Sequence, residues 1–235
     1  MQISVVIPAY NEEQYIEHCL RSLVGQKTSL KYEVIVVDNN STDGTLKVAR
    51  TFKDKLNLRI IHEEKQGRGA ARARGFKEAK GEIILSADAD TIYYPDWIDA
   101  LVANLGGKVV ATTTSCQTSD LGFIKDAIFN FVQPTAAYLY RLIFGHYWLA
   151  GFSFAIKRDV YIKSGGFNSN LQALEDTDLA VRVAKIGKIK FINKPVIFSG
   201  RRFKKGLLSG IFAYIKTFIL AYTLKRKPVF LGNPR

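Results

Sequence analysis

Near-continuous apolar runs alternate with helix-spaced stretches through the first half of the chain, a pattern that few folds accept. The runs fall at residues 3–8 ("ISVVIP"), 32–38 ("YEVIVVD"), 58–63 ("LRIIHE"), 82–85 ("EIIL") and 108–115 ("KVVATTTS"). Helical patterns lie between them, at 12–26, from the Ser/Thr/Asp start signal "STDGT" at 41–45, at 67–81 and at 95–107. A strand apolar along its whole length is buried on both faces. The alternation therefore predicts an α/β fold with a mostly parallel central sheet flanked by helices on both faces.

Ligands of such sheets bind beyond the carboxyl ends of the strands, and Asp38, Asp88 and Asp90 stand at those ends. Residues two apart in a strand face the same way, so extended geometry carried to the tip of "LSADAD" aims Asp88 and Asp90 at one point. Two readings compete. In one, a divalent ion, Mg²⁺ or Mn²⁺, sits between the carboxylates and holds a diphosphate, since these ions take hard oxygen ligands from carboxylates, phosphates and water. In the other, the aspartates belong to a polar loop. Arg68 and Arg72, in "GRGAARARG", could reach nucleotide phosphates, whereas Arg74, Lys77 and Lys80 read as a solvated helix face.

Composition narrows the classes. With 235 residues, 47% hydrophobic and 23% charged, the chain is globular and long enough for one large domain with an appendage. The two cysteines, Cys19 and Cys116, form no framework and predict a reducing setting, the cytoplasm. No secretory leader is read at the N-terminus. His18, His62 and His146 lack zinc spacing. A net charge of +13 calls for an anionic partner.

Five stretches in fixed order, "VVIPAYNEEQYIEHCLRSL", "VIVVDNNSTDGT", "GRGAARARGFKEAKGEIILSADAD", "GGF" at 165–167 and "LEDTDLAVRVAKIG" at 174–187, resemble the family 2 glycosyltransferases of the GT-A fold. The resemblance covers roughly residues 2–200. It implies a metal-dependent, inverting transfer of sugar from a nucleoside-diphosphate sugar (UDP favoured, GDP possible) to a hydroxyl or lipid-phosphate acceptor. It also implies a GT-A domain at 1–200, with a nucleotide-sugar half at 1–115 and an acceptor half at 116–200. By the same resemblance the first loop, Pro8, Ala9, Tyr10 and Glu12, borders the nucleotide, with Tyr10 near the base and Glu12 near the ribose. Asp38 bonds the base, although it could equally begin the turn "DNNSTDG". Asp88 lies near ribose and metal, and Asp90 is the direct metal ligand.

By the same resemblance the acidic pair Glu175 and Asp176 matches the pair that opens a helix near the acceptor, with Asp176 as general base and Glu175 either orienting it or contacting the acceptor. A sugar hydroxyl is a poor nucleophile near neutral pH, so a carboxylate must take its proton. The competing reading is an acidic first helical turn that suits the helix dipole. Two departures stand out. Asn39 replaces a second aspartate, and no histidine follows His146 to serve as a further metal ligand; "FSGRRF" occupies that region. Arg201 and Arg202 either neutralise the leaving diphosphate in its place or serve as juxtamembrane charges.

From residue 201 to 235 the sequence is basic, apolar and basic again. Leu207, Leu208, Ile211, Phe212, Ile215, Phe218, Ile219 and Tyr222 share a helical sector of roughly 140°, bracketed by Arg201, Arg202, Lys204, Lys205, Lys225, Arg226 and Lys227. That pattern predicts a helix lying on an anionic membrane surface, with packing on the chain's own domain or on a second subunit as the alternative. The aromatic stretch at 121–148 suits the interface, an acceptor pocket or core. A saccharide or lipid-linked acceptor, and a peripheral place on the cytoplasmic membrane face, follow from this reading. Two rivals remain, a sugar nucleotidyltransferase and a basic nucleic-acid-binding module. The first lacks its glycine-rich start. The second, and with it a nucleic-acid partner, is disfavoured because strand-end carboxylates repel phosphate.

Overall fold

The computed structural model describes residues 2–171, 173–203 and 206. The strands are β1 (Gln2–Ala9), β2 (Lys31–Asp38), β3 (Leu58–His62), β4 (Ile83–Ala87), β5 (Thr91–Ile92), β6 (Val109–Gln117), β7 (Ser153–Lys157) and β8 (Lys188–Phe198). The helices are α1 (Ile16–Val24), α2 (Thr45–Arg50), α3 (Arg68–Glu78), α4 (Trp97–Val102), α5 (Phe123–Phe144), α6 (Arg158–Lys163) and α7 (Glu175–Val183), and a 3₁₀ turn covers Gly200–Phe203.

One mixed sheet runs in the order β3-β2-β1-β4-β7-β6-β8-β5. β1, β2, β3 and β4 are mutually parallel, as the apolar runs predict; β7 is inserted antiparallel between β4 and β6. The chain steps from β1 outward through β2 to β3 and returns to place β4 on the other flank of β1. The order therefore reverses between β1 and β4, and a crevice opens beyond their carboxyl ends. The antiparallel sense of β7 matters as much. It pairs Ser153 with Ala87, which sets the residues just before β7 beside the tip of β4.

Burial follows the sequence pattern. All of β4 is buried, as are six of the eight positions of β1. One core, around Ile16, Leu20, Trp97 and Ile98, lies on one face of the sheet, and a second, around Phe76, Phe154, Leu179 and Val183, on the other. The stretch at 121–148, which the sequence leaves open among interface, pocket and core, is mostly the 22-residue helix α5. The folded domain also runs past residue 200, because Phe203 is buried and its ring lies 5.0 Å from that of Phe129. The apolar pattern at 207–222 and its cations Lys204, Lys205, Lys225, Arg226 and Lys227 lie outside the described residues.

Candidate active site

The crevice is lined by Pro8, Ala9, Tyr10 and Glu12 after β1, Asn39 after β2, Arg68 at the start of α3, Asp88 and Asp90 after β4, and Arg201 and Arg202 on the 3₁₀ turn. Nine sequence-predicted positions thus line one cleft, with Asn39 present where Asp38 was expected. Asp38 is buried at the end of β2; one carboxylate oxygen accepts from the Ser41 amide at 3.2 Å and the other lies 3.3 Å from His62 Nδ1. Asn39 donates to the carbonyls of Glu63 (2.8 Å) and Lys65 (2.9 Å) and accepts from the Gly67 amide (2.8 Å). An aspartate could not make those two donations. The asparagine therefore staples the loop that starts α3 to the end of β2.

Two carboxylate clusters meet at the cleft. In the first, Arg201 donates two bonds to Glu12 (2.9 and 2.7 Å) and pairs with Asp90 at 2.7 Å, its guanidinium 4.6 Å from the centre of the Tyr15 ring. The arginine thus sits among the carboxylates, in the stretch after His146 where the sequence offers no histidine. Burial first, with Asp88 and Glu12, pushes Asp90 up to about 6 against the pull of Arg201. Glu12 is fixed from behind, its amide 2.7 Å from Thr45 Oγ1.

In the second cluster Arg72 does not face the cleft as a phosphate donor. Its side chain is buried on α3 and joins Asp88 (2.5 Å) to Glu175. The nearby carboxylates of Asp88, Glu175 and Asp176 raise the guanidinium's pKa against the effect of burial. Asp176 follows Glu175 in the first turn of α7, after Leu174, whose left-handed backbone (φ 59°) turns the chain into the helix. Such a conformation strains a leucine and persists only where the surroundings enforce it. One Asp176 oxygen accepts from the Gly151 amide at 2.9 Å and the other from the Thr177 amide at 2.7 Å. Burial first, and Glu175 second, push this carboxyl up to about 6, against the pull of Arg72.

Gly151 packs where no side chain fits. A Cβ there would lie 2.5 Å from Arg72 Nη2 and 2.9 Å from Asp176 Oδ2. The loop that carries it is held by Ser86, whose hydroxyl donates to the Gly151 carbonyl at 2.7 Å. Tyr93 ties the same region together, accepting from the Asp88 amide (2.8 Å) and donating to the Phe152 carbonyl (3.0 Å). Sequence reasoning named neither Gly151 nor Tyr93, and no local pattern marks them. Tyr15 lay inside a quoted motif without a role.

A magnesium- or manganese-type ion needs one or two carboxylates, with phosphate oxygens and water completing its shell. Among the described residues no group of three or more His, Cys, Asp or Glu could hold a metal unaided. Asp88 and Asp90 each give one oxygen to an arginine, which leaves the second oxygen of each as a donor. The donor set fits an ion completed by a ligand's phosphates.

A sheet with its switch point between β1 and β4, acidic tips there, and an acidic helix start across the inserted β7 define the GT-A fold. Solved structures share it. TarS 1–349 of S. aureus in complex with UDP-GlcNAc superposes with a TM-score of 0.68 at 23% identity, over 85% of this chain and 58% of that one. Mannosyltransferase PcManGT from Pyrobaculum calidifontis, in complex with GDP-Man and Mn²⁺, gives 0.68 at 26% identity, over 95% and 64%. Glycosyltransferase AglE of Haloferax volcanii is 39% identical over 112 residues, 46% of this chain and 36% of that protein. Dolichol-phosphate mannosyltransferase of Pyrococcus furiosus is 36% identical over 103 residues, 43% and 29%. The chain spans about a third of the length of these two relatives. Glycosyl transferase family 2 matches residues 4–165, and the chain belongs to that family.

Proposed function

We propose that the protein transfers a sugar from a nucleoside-diphosphate sugar to an acceptor hydroxyl or lipid phosphate, with inversion at the anomeric carbon. The observation that carries this reading is the meeting of Glu12, Asp88, Asp90, Arg201 and Arg202 in the switch-point cleft. The donor's base and ribose lie along Tyr10, Asn39 and Glu12, with Asp38 shaping the loop beneath. Asp90 and Asp88 would hold Mg²⁺ or Mn²⁺, which would supply charge neutralisation at the diphosphate. The related PcManGT is seen in complex with GDP-Man and Mn²⁺ and TarS with UDP-GlcNAc, which supports a nucleotide sugar and a divalent ion here.

Arg201, Arg202 and Arg68 stand ready to pair with phosphate oxygens as negative charge grows on the leaving group, since guanidinium meets phosphate through paired N–H donors. Asp176 takes the proton of the attacking hydroxyl. Attack from the side opposite the leaving diphosphate inverts configuration in one displacement. A pKa near 6 leaves Asp176 ionised at neutral pH yet basic enough to accept that proton. Glu175 and Arg72 fix its surroundings, and Gly151 fixes its rotamer. The acceptor is a saccharide or a lipid-linked species. An anionic membrane surface, on the cytoplasmic side, is the partner suggested by the basic and apolar sequence at 201–235. No described helix is long and apolar enough to cross a membrane.

Thermal-shift screening of UDP- and GDP-sugars with and without Mn²⁺ tests the donor site, because a ligand that binds the native state raises the melting temperature. A shift that needs both nucleotide and ion is the expected result. Product analysis separates the rival reading: a transferase releases a nucleoside diphosphate, whereas a sugar nucleotidyltransferase releases pyrophosphate.

A further inference from the structure

α5 buries Phe129, Ala137 and Tyr140 toward the domain and packs beside β6. Apart from Tyr138, whose ring meets Phe191 at 5.4 Å, its other side is bare among the described residues. Placed at 100° per residue, Ile124, Ile128, Phe131, Thr135, Tyr138, Leu139 and Leu142 fall in a sector of about 100°, and every one of them is exposed. Phe131 is 73% and Leu142 82% exposed. The stripe runs for about 27 Å along the helix at 1.5 Å per residue. A contiguous apolar surface of that size marks an interaction site on a folded protein.

Charge placement says which partner fits. The sector holds no charged residue; the helix's two cations, Lys125 and Arg141, stand about 40° and 60° beyond its opposite borders, Arg141 with its guanidinium 5.2 Å from the centre of the Tyr147 ring. The helix's acidic residue, Asp126, lies on the far side and accepts from the Leu121 amide at 3.3 Å. Helix–helix seams are commonly bordered by charges of both signs that set the pairing, and this stripe has none of the acidic ones. An apolar face edged by cations alone is instead complementary to acyl chains beneath anionic headgroups. Phe203, after which the basic and apolar stretch of sequence begins, packs on the Phe129 ring of this same helix.

The stripe also leads toward the acceptor side. A groove of about 490 Å³ opens at the C-terminal end of α5, lined by Tyr140, Phe144, His146, Val181 and Lys185. Val181 belongs to α7, the helix that begins with Glu175 and Asp176. Tyr140 is near enough to Asp176 for the carboxylate to help burial push its phenol up to about 12.

We propose that the outer face of α5 docks on an anionic bilayer and thereby brings the Asp176 side of the cleft to an acceptor held in that bilayer; the acceptor half of this statement rests on the transferase reading. The probe is the full chain with phosphatidylcholine vesicles, with and without phosphatidylserine. Phe131→Glu/Leu142→Glu places two charges on exposed positions, and Ile162→Glu on α6 (59% exposed) is the control. The expected result is sedimentation with the phosphatidylserine vesicles that the double variant loses by at least about tenfold, since two buried large apolar side chains contribute more than that factor, while the control keeps it. Wild-type vesicle binding by the double variant overturns the proposal, as does failure of the unaltered chain to bind. A dimer in the unaltered chain that the double variant dissociates, with vesicle binding unchanged, overturns it in favour of a second copy. Nucleotide-sugar binding, read by thermal shift in the same samples, reports on the transferase reading separately. Its absence alongside vesicle binding that the double variant loses would remove the acceptor half and leave the docking face standing.

Discussion

Arg72 and Arg201 each bridge two carboxylates at the cleft, yet they do so from different ground. Arg72 rises from the core helix α3, is 2% exposed, and ties Asp88 on the donor side to Glu175 beside the proposed base. Arg201 comes from the 3₁₀ turn near the end of the described chain, keeps 11% of its side chain exposed, and ties Glu12 to Asp90 in the cleft itself. The same chemistry therefore serves two purposes. A cation sealed under Gly151 cannot exchange partners and acts as a brace. A cation at the mouth stands, under the proposed function, where it would pair with a phosphate.

The largest effect is expected at the brace. Arg72→Met leaves Glu175 and Asp88 without their counter-ion, and breaking a buried pair from one side costs about 3–5 kcal/mol. Urea unfolding should register that loss, and added Mn²⁺ should not repair it. A variant as stable as the parent would break the comparison.

Asp176→Asn keeps the shape but removes the proton acceptor. Turnover should fall by about 10²-fold or more, with donor affinity nearly unchanged. A variant that loses donor binding but turns over normally at saturation would move Asp176 out of the base's role.

Arg201→Met should be milder and, unlike Arg72→Met, reversible by ligand. We expect a loss of about 1–3 kcal/mol in chelator, as for a deleted charged hydrogen-bond partner, much of it regained with Mn²⁺ and nucleoside diphosphate. Equal, unrepaired losses for both arginines would erase the distinction between them.

The smallest effect lies in the pH profile. Because burial and Glu175 raise Asp176 to about 6, kcat should fall as pH drops through 6, where the base becomes protonated. Stopped assays across pH 5–8 should show that acid limb in the parent and lose it in Asp176→Asn.

Much of the donor side was legible in the sequence because it depends on local order. Apolar strands specify β1, β2 and β4, and loops that follow strands place Glu12, Asp88 and Asp90 without knowledge of distant contacts. The acceptor side depends on pairing across long separations. Nothing near Gly151 says that an antiparallel β7 will lay it beside Arg72, or that an amide there will hold Asp176. Arg72 looked like a phosphate ligand for the same reason: the sequence displays its charge, whereas the carboxylate that captures it, Glu175, is 103 residues away. Asn39 read as a mild departure, and its three hydrogen bonds to the loops at 63–67 explain why an amide is needed there. The aromatic wealth of 121–148 was plain, but only the helix's orientation separates the buried Phe129 from the exposed Phe131.

Calorimetric titration of UDP and GDP into the parent protein and Asp90→Ala, with and without Mn²⁺, tests the central claim that the switch-point cleft holds a metal-bound nucleoside diphosphate. The expected result is Mn²⁺-dependent binding of one of the two nucleotides by the parent, and loss of that dependence in Asp90→Ala. Binding with unchanged Mn²⁺ dependence in the variant would contradict it.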